Sequence, residues 1–419
     1  MLIGIDGNEA NVRTRVGTGQ YAFELLWQFV KDKRHQFIVY LKDKPLPDLP
    51  KPIASFQYKV LGPRKFWTQL ALPLHLIVNK RTSVYFSTAH YLPRICPVPQ
   101  VVTIHDLSFL HYSELFKKSD LIQLTFGTKA SIKKATHIIA VSQTTKDDIV
   151  KNYNVAPSKI TVTYEGYDKD RFKPQSKYSI DRMKKKYKIS SDYIIFVGTL
   201  QPRKNLERLL EAFKILVHSS PFDFAQGRQF TVHRNKKTVN RKPITDNLLL
   251  VIVGKKGWLY DSIFKKVKTL GLQNKVIFTD YVSDTDLPAL ISGARAYVLP
   301  SLWEGFGIPV IEAQACGVPV VVSNTSSLPE IVGANSLTPE VKSGRHPENT
   351  PGVDLRCSAI LINPESIQSI ADGIKKTLDP KIRSDLVKNG FSNIKHFSWQ
   401  KCAKITLQVL EKVASEKTS

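Results

Sequence analysis

The stretch AYVLPSLWEGFGIPVIEAQACGVPVVVS (296–323) decides how the rest of the chain is understood. Its first five residues, AYVLP, are an apolar run of strand length. Pro309 suits the first position of a helix that Gly317 can end, and VPVVVS is a second strand. Strand, loop, helix and strand in this order form one unit of a parallel α/β sheet. In such sheets the loops leaving strand carboxyl ends line a crevice, and the helix that follows presents unpaired N–H groups with partial positive charge. Gly305 and Gly307 place bare backbone there, Glu304 stands at the mouth, and Glu312, near the start of the helix, can accept hydrogen bonds from hydroxyls. A phosphate beside a polyhydroxylated group satisfies all of these. Paired glutamates near a helix start also serve simply to complement the helix dipole, so the spacing alone leaves both readings open.

The same rhythm runs through the remainder of the chain. LIGID (2–6), the helix GQYAFELLWQFVKD (19–32), QFIVYL (36–41), SVYFS (83–87), QVVTIHD (100–106) and THIIAVS (136–142) alternate as in a doubly wound α/β domain. After a basic segment around 168–190 the pattern restarts with YIIFVGT (193–199), the helix NLERLLEAFKILV (205–217), NLLLVIVG (247–254) and KVIFTDYV (275–282). The expected architecture is two Rossmann-like doubly wound domains in tandem, at 1–172 and 191–395. A last helix, WQKCAKITLQVLEKV (399–413), carries an apolar stripe with no strand after it and must pack on an existing surface. Two polar, aperiodic stretches, 219–247 and 338–356, break the alternation and read as surface insertions.

Composition bounds the function. A chain of 419 residues with 42% apolar content can bury two or three cores. Its formal charge of +25 calls for an anionic partner, whether nucleic acid, an anionic bilayer or phosphorylated small molecules. Cys96, Cys316, Cys357 and Cys402 form no C-x-x-C pair, so neither a zinc site nor a disulfide framework is expected and a reducing cytoplasm fits. The start MLIGIDGNEA lacks the marks of a signal peptide, and the apolar stretch LALPLHLIV (70–78) is short and broken by proline. A cytoplasmic protein, or one peripheral on the cytoplasmic membrane face, is expected.

Further candidates fall at strand carboxyl ends. In RVGTGQYAFELL (15–26), Gly17 and Gly19 lie between the first strand and first helix, a weak match to a dinucleotide loop that a tight turn also explains. VVTIHDLSF (101–109) ends a strand with His105 and Asp106, and FVGTLQPRKNLERLLEAF (196–213) delivers Arg203 and Lys204 where cations can reach phosphate oxygens.

At this point GTLQPRKNL, LVIVGKKGWLY, VIFTDYVSDTDLPAL, the 300–333 block and TIHDLSFL together resemble a family 4 retaining glycosyltransferase, close to mannosyltransferase-like bacterial members. The resemblance covers nearly the whole chain apart from the two insertions. It implies a GT-B architecture, an acceptor-side first domain, a nucleotide-sugar donor domain second, and the last helix crossing back to the first. It further implies that Glu312 holds the donor ribose. Glu304 and the amides of Gly305, Phe306 and Gly307 would hold the transferred sugar, Arg203 and Lys204 the diphosphate, and the Tyr281–Val282 backbone would lie near the base. His105 would approach the sugar, and the Gly17–Gly19 loop would meet donor phosphate or acceptor. Many relatives carry an arginine five residues before the matching lysine; here that position is Thr199, and Arg203 is the candidate for the missing charge.

The reaction expected is transfer of a hexose such as mannose from a GDP- or UDP-sugar to a glycan or lipid-linked acceptor, with same-face attack. No D-x-D-like motif stands beside the site, so no metal or other cofactor is expected. Two alternatives remain at this level: a sugar-nucleotide epimerase of the same architecture, and a basic nucleic-acid-binding protein that would leave the EGFGIPVIE block idle.

Overall fold

The computed structural model describes residues 1–79, 81–218, 244–334 and 357–416. Of the two insertions, 338–356 and all but the last four residues of 219–247 lie outside the described residues; Ile244–Asn247 is a short 3-10 turn. The chain forms two compact units. One comprises Met1–Tyr167, Glu304–Ile308 and His396–Ser419, the other Asp168–Trp303 and Pro309–Lys395.

The first unit holds β1 (Leu2–Asp6), β2 (Gln36–Leu41), β3 (Phe56–Val60), β4 (Val84–Ser87), β5 (Gln100–Ile104), β6 (His137–Ala140) and β7 (Ile160–Val162). They form one parallel sheet in the order β3-β2-β1-β4-β5-β6-β7. The second unit holds β8 (Tyr193–Val197), β9 (Leu249–Val253), β10 (Val276–Phe278), β11 (Ala296–Leu299), β12 (Val320–Ser323) and β13 (Ala359–Ile362). These are again all parallel, in the order β10-β9-β8-β11-β12-β13. Both are α/β sheets of the expected class.

The central strands β4, β5, β6, β9, β11 and β12 are buried at every residue. That is why they appear in the sequence as unbroken apolar runs: crossover helices cover both faces of a parallel sheet. Three strands were not expected from the sequence. β3, β7 and β13 are edge strands, where only one neighbour pairs; solvent replaces part of the covering layer over β3 and β7, whereas β13 (AILI) is buried except at Leu361 and is a short apolar run just after the insertion 338–356. Only Phe56 of FQYKV is buried, and β7 is three residues long.

The helix Thr18–Phe29 buries Tyr21, Ala22, Leu25, Leu26 and Phe29, an apolar stripe of helical period facing the sheet. The last helix, Trp399–Ser415, buries Trp399, Cys402, Ala403, Thr406, Leu407, Leu410 and Val413 and packs in the first unit against Thr18–Phe29. Ser398 caps its start by accepting from the Lys401 amide. The stretch 70–78, too short to span a bilayer, is the helix Ala71–Val78, with Pro73 tolerated in its first turn. Among the described residues no helix is long and apolar enough to cross a membrane.

Candidate active site

In the second unit β8 and β11 are neighbours in the sheet although about a hundred residues separate them, while β9 flanks β8 on its other side. The loops after β8 and β11 therefore leave at the switch point of the strand order, where open α/β sheets bind ligands. After β8 the chain makes a 3-10 turn at Pro202–Lys204 and closes it with Asn205 in the left-handed region, φ 59°. The Asn205 side-chain amide donates to the carbonyls of Pro300, 3.0 Å, and Pro364, 2.7 Å. One residue thus ties the loop after β8 to those after β11 and β13. The Leu302 amide donates to the Arg203 carbonyl at 2.9 Å, and the Arg203 guanidinium donates to the Trp303 carbonyl. Arg203 accordingly braces the loop that runs into Glu304.

Lys204 runs back along the end of β8, its Cε 3.6 Å from where a Cβ on Gly198 would stand. A Cβ on Gly254 would lie 1.9 Å from the Gly198 carbonyl oxygen, so the two glycines let the ends of β8 and β9 close together. Tyr281 and Val282 follow β10. The tyrosine is 47% exposed with its hydroxyl 3.4 Å from Asp284, and the valine is buried. Glu312 lies in the helix Ile308–Ala315 and is buried, and Gly317, at φ 74°, takes the left-handed conformation just beyond the helix end.

The segment Glu304–Ile308 groups with the first unit. A Cβ on Gly305 would stand 2.0 Å from the carbonyl oxygen of His105, a contact that only glycine permits. Gly307 has φ 104°, which also requires glycine. Phe306 is buried against the rings of Tyr164 and Phe397, and Glu304 is 7% exposed.

His105 leaves the end of β5 with both ring nitrogens engaged. Nε2 is 2.9 Å from the Thr88 carbonyl oxygen, and Nδ1 is 3.4 Å from Oε1 of Glu165, itself buried. A carbonyl can only accept, so Nε2 carries a hydrogen, and a carboxylate facing Nδ1 favours a hydrogen there as well. The pair therefore favours the imidazolium. Burial alone would lower the His105 pKa; the contact with Glu165 and its charge, with smaller help from the Thr88 carbonyl and Asp106, outweigh burial and raise it. His90, its ring centroid 5.8 Å away, is pushed down to about 4 by burial and by the charge on His105. The Tyr21 ring stands edge-on to His105 at 4.8 Å, with its hydroxyl 3.1 Å from Thr103. Tyr21 belongs to the helix whose start is Gly17, at φ 50° with open space around it, and Gly19 packs against the Glu9 carbonyl.

The structure therefore places Arg203 and Lys204 on the β8 loop of the second unit, with Tyr281, Val282 and Glu312 after β10 and β11. His105 and the Glu304–Gly307 loop lie in the first unit, and Gly17 and Gly19 lie on its β1 loop. The sequence reading missed two partners of His105. Glu165, in TYEGYD (163–168), follows a strand too short to register, and Thr88 contributes only a main-chain carbonyl.

Chemically, a lysine and bared backbone at a sheet switch point suit a phosphorylated ligand. A buried imidazolium and a carboxylate whose loop touches its carbonyl suit a reaction that moves charge.

Comparison with known proteins agrees. The family described as "Glycosyl transferases group 1" matches residues 179–392, and "Glycosyltransferase Family 4" matches 16–171. The chain is 27% identical over 360 residues to the O-antigen chain mannosyltransferase B of Escherichia coli, covering 85% of this chain and 80% of that protein. It is 25% identical over 245 residues to an E. coli UDP-Gal:alpha-D-GlcNAc-diphosphoundecaprenol alpha-1,3-galactosyltransferase, covering 57% of this chain and 55% of that one. Among solved structures, sucrose-phosphate synthase from Thermosynechococcus elongatus superimposes with a TM-score of 0.70 at 17% identity over 99% of both chains, which shows a shared GT-B fold. With a glycosyltransferase family matching each half, the chain belongs to the family 4 glycosyltransferases and is a sugar-transferring enzyme close to bacterial mannosyltransferases.

Proposed function

We propose that this enzyme transfers a hexose, mannose in the first instance, from a nucleoside-diphosphate donor such as GDP-mannose to a glycan or lipid-diphosphate-linked acceptor, with retention of configuration, in cell-surface polysaccharide synthesis. The observation that carries this reading is the bracing of the β8 and β11 loops at the switch point, through Asn205, Arg203 and Leu302. It presents Lys204 beside bare backbone, the arrangement a diphosphate needs. The relatives' printed activities, mannosyl transfer to an O-antigen chain and galactosyl transfer to a diphosphoundecaprenol-linked sugar, support the sugar and acceptor classes. Neither relative supports an epimerase or a nucleic-acid binder.

In this reading Glu312 accepts hydrogen bonds from the donor ribose, Tyr281 and Val282 border the base, and Lys204 meets the diphosphate. Arg203 contributes its charge while holding the β11 loop. The amides of Gly305, Phe306 and Gly307, with Glu304, hold the sugar. Departure of the nucleoside diphosphate leaves positive charge on the sugar ring, which Glu304 stabilises, while Lys204 and helix N-termini stabilise the leaving group. No metal or cofactor is assigned a role, and turnover is expected to persist in EDTA. The enzyme works at the cytoplasmic face of a membrane, where its charge meets anionic lipid.

A panel of nucleotide sugars scored by donor hydrolysis and thermal stabilisation tests the reading. GDP-mannose should be turned over fastest, and the Lys204→Ala variant should bind the preferred nucleotide more weakly by about tenfold or more, the loss of roughly 1.5 to 3 kcal/mol expected for one charge-assisted phosphate contact. Unchanged affinity in that variant would remove Lys204 from the site. Preference for a different donor would replace mannose.

A further inference from the structure

The first unit contains a second built feature, lined by none of the candidate active-site residues. Thirteen residues line a cavity of about 340 Å³, among them Lys42, Arg64 and Arg94; none of the thirteen is acidic. Trp67, also in the lining, is 1% exposed, and its indole N–H has no hydrogen-bond partner among the described residues. A buried N–H left without an acceptor is costly, and three cations around it select an anion as what supplies one. The cations are differently placed. The Lys42 ammonium lies 5.7 Å from the Trp67 ring centroid, Arg64 pairs with exposed Asp43, and the Arg94 side chain is exposed while its amide is anchored on Gln69.

The surroundings of this cavity are apolar. Phe66, in the lining, is 68% exposed. On the helix Lys118–Lys134, Gln123, Gly127 and Ala130 line the cavity, while Ile122 and Phe126, 60% and 68% exposed, form the adjacent stripe at i, i+4 spacing. Directly after the lining residues Phe66–Gln69, Leu70, Leu74, Ile77 and Val78 of the segment through Ala71–Val78 are exposed at 45%, 56%, 43% and 79%. Apolar residues so grouped mark a contact surface rather than scattered exposure.

We propose that this cavity holds the diphosphate of a polyprenyl-linked acceptor, with its isoprenoid chain lying over Phe66, Phe126 and the exposed face of Ala71–Val78. The volume decides the division of labour. It falls at the low end of roughly 300 to 1,000 Å³ for small-molecule sites, enough for a diphosphate and the first isoprene unit but not for a long lipid, which must continue along the outside. The proposal rests on the lipid-linked acceptor in the function proposed above and adds where that acceptor is gripped.

Farnesyl diphosphate is the probe, titrated calorimetrically with GDP and UDP both saturating so that the donor diphosphate site is filled. The wild-type protein should bind it more tightly than inorganic diphosphate. The double variant Lys42→Ala/Arg94→Ala should bind it at least tenfold more weakly, and Phe66→Ser/Phe126→Ser should bind it no better than inorganic diphosphate. Folding is checked by thermal melting and by retained nucleotide binding. Wild-type binding that both double variants keep would overturn the cavity assignment and leave the lipid-linked acceptor standing. Absence of wild-type binding, with donor hydrolysis present, would overturn both that acceptor class and this site. If the cation variant loses binding only to phosphatidylglycerol vesicles and keeps farnesyl diphosphate, the surface is a bulk membrane contact and the proposal fails.

Discussion

His105 shows how a buried side chain can be fixed in one protonation state by two neighbours. Its raised pKa makes the pair with Glu165 a pH-dependent contribution to stability. A histidine whose folded pKa is raised stabilises most below the unfolded value of about 6.5, and the contribution disappears as pH climbs through the folded pKa. Glu165→Gln should therefore cost on the order of 3 kcal/mol below about pH 6.5 and progressively less as pH rises above it. Thermal melts of both proteins across that range check it, and a gap that stays constant would show that the carboxylate does not hold the imidazolium. The two buried glutamates divide differently. Glu312→Gln should raise the donor Michaelis constant more than it lowers turnover, because a ribose contact is remote from the breaking bond. Glu304→Gln should lower turnover by about 10²- to 10³-fold while the donor still binds, the loss expected for a single electrostatic stabiliser. Small, equal effects from the two variants in steady-state kinetics would mean the pair only complements the helix dipole. The candidate residues were legible because glycine, histidine, lysine and glutamate at strand ends are unusual enough to notice. Glu165 and Thr88 were not, since one follows an edge strand and the other acts through its backbone.

Strand and helix periodicity carried most of the fold at the level of elements. Central strands buried on both faces leave continuous apolar runs such as VPVVVS, whereas the edge strands β3 and β7 do not; β13, AILI, is apolar throughout but short and stands just after the aperiodic stretch 338–356. The first helix was expected at 19–32 and ends at Phe29, because Val30 onward turns with i+3 bonds such as Lys31 to Gln28. What periodicity could not supply is the tertiary reason for particular glycines. Gly305 is one instance, since a methyl group there meets the main chain of His105 at 2.0 Å rather than a side chain that could swing aside. Gly305→Ala should displace the loop after β11, costing about 1 to 3 kcal/mol of stability as overpacking does, and should lower transfer activity more than the melting point suggests. Melting curves and single-turnover rates measured together test this. Full activity in the alanine variant would show that the loop and His105 are free to move apart.

For the whole molecule, the formal charge of +25 was evident from composition, but composition did not say which anion it serves. On the function proposed above it acts twice, toward the donor diphosphate and toward anionic lipid. Cosedimentation with anionic vesicles should be strong at low salt and fall steeply at high salt, each nearby Lys or Arg contributing about 1 kcal/mol. Binding that ignores salt, or none at low salt, would contradict an electrostatic dock. The route of the chain has a further effect on how the enzyme comes into being. The first unit begins at Met1 and is completed by the segment starting at His396, where the Trp399 amide nitrogen would lie 2.2 Å from a Cβ on Gly166 and the Trp399 ring lies 6.1 Å from Tyr21. On the ribosome, then, the helix Thr18–Phe29 emerges long before the helix Trp399–Ser415, and the face that the later helix covers stays unburied until that distant segment has been made. At roughly 5 to 20 residues per second that exposure lasts tens of seconds, an interval in which a nascent chain of this topology depends on chaperones or remains open to misassociation.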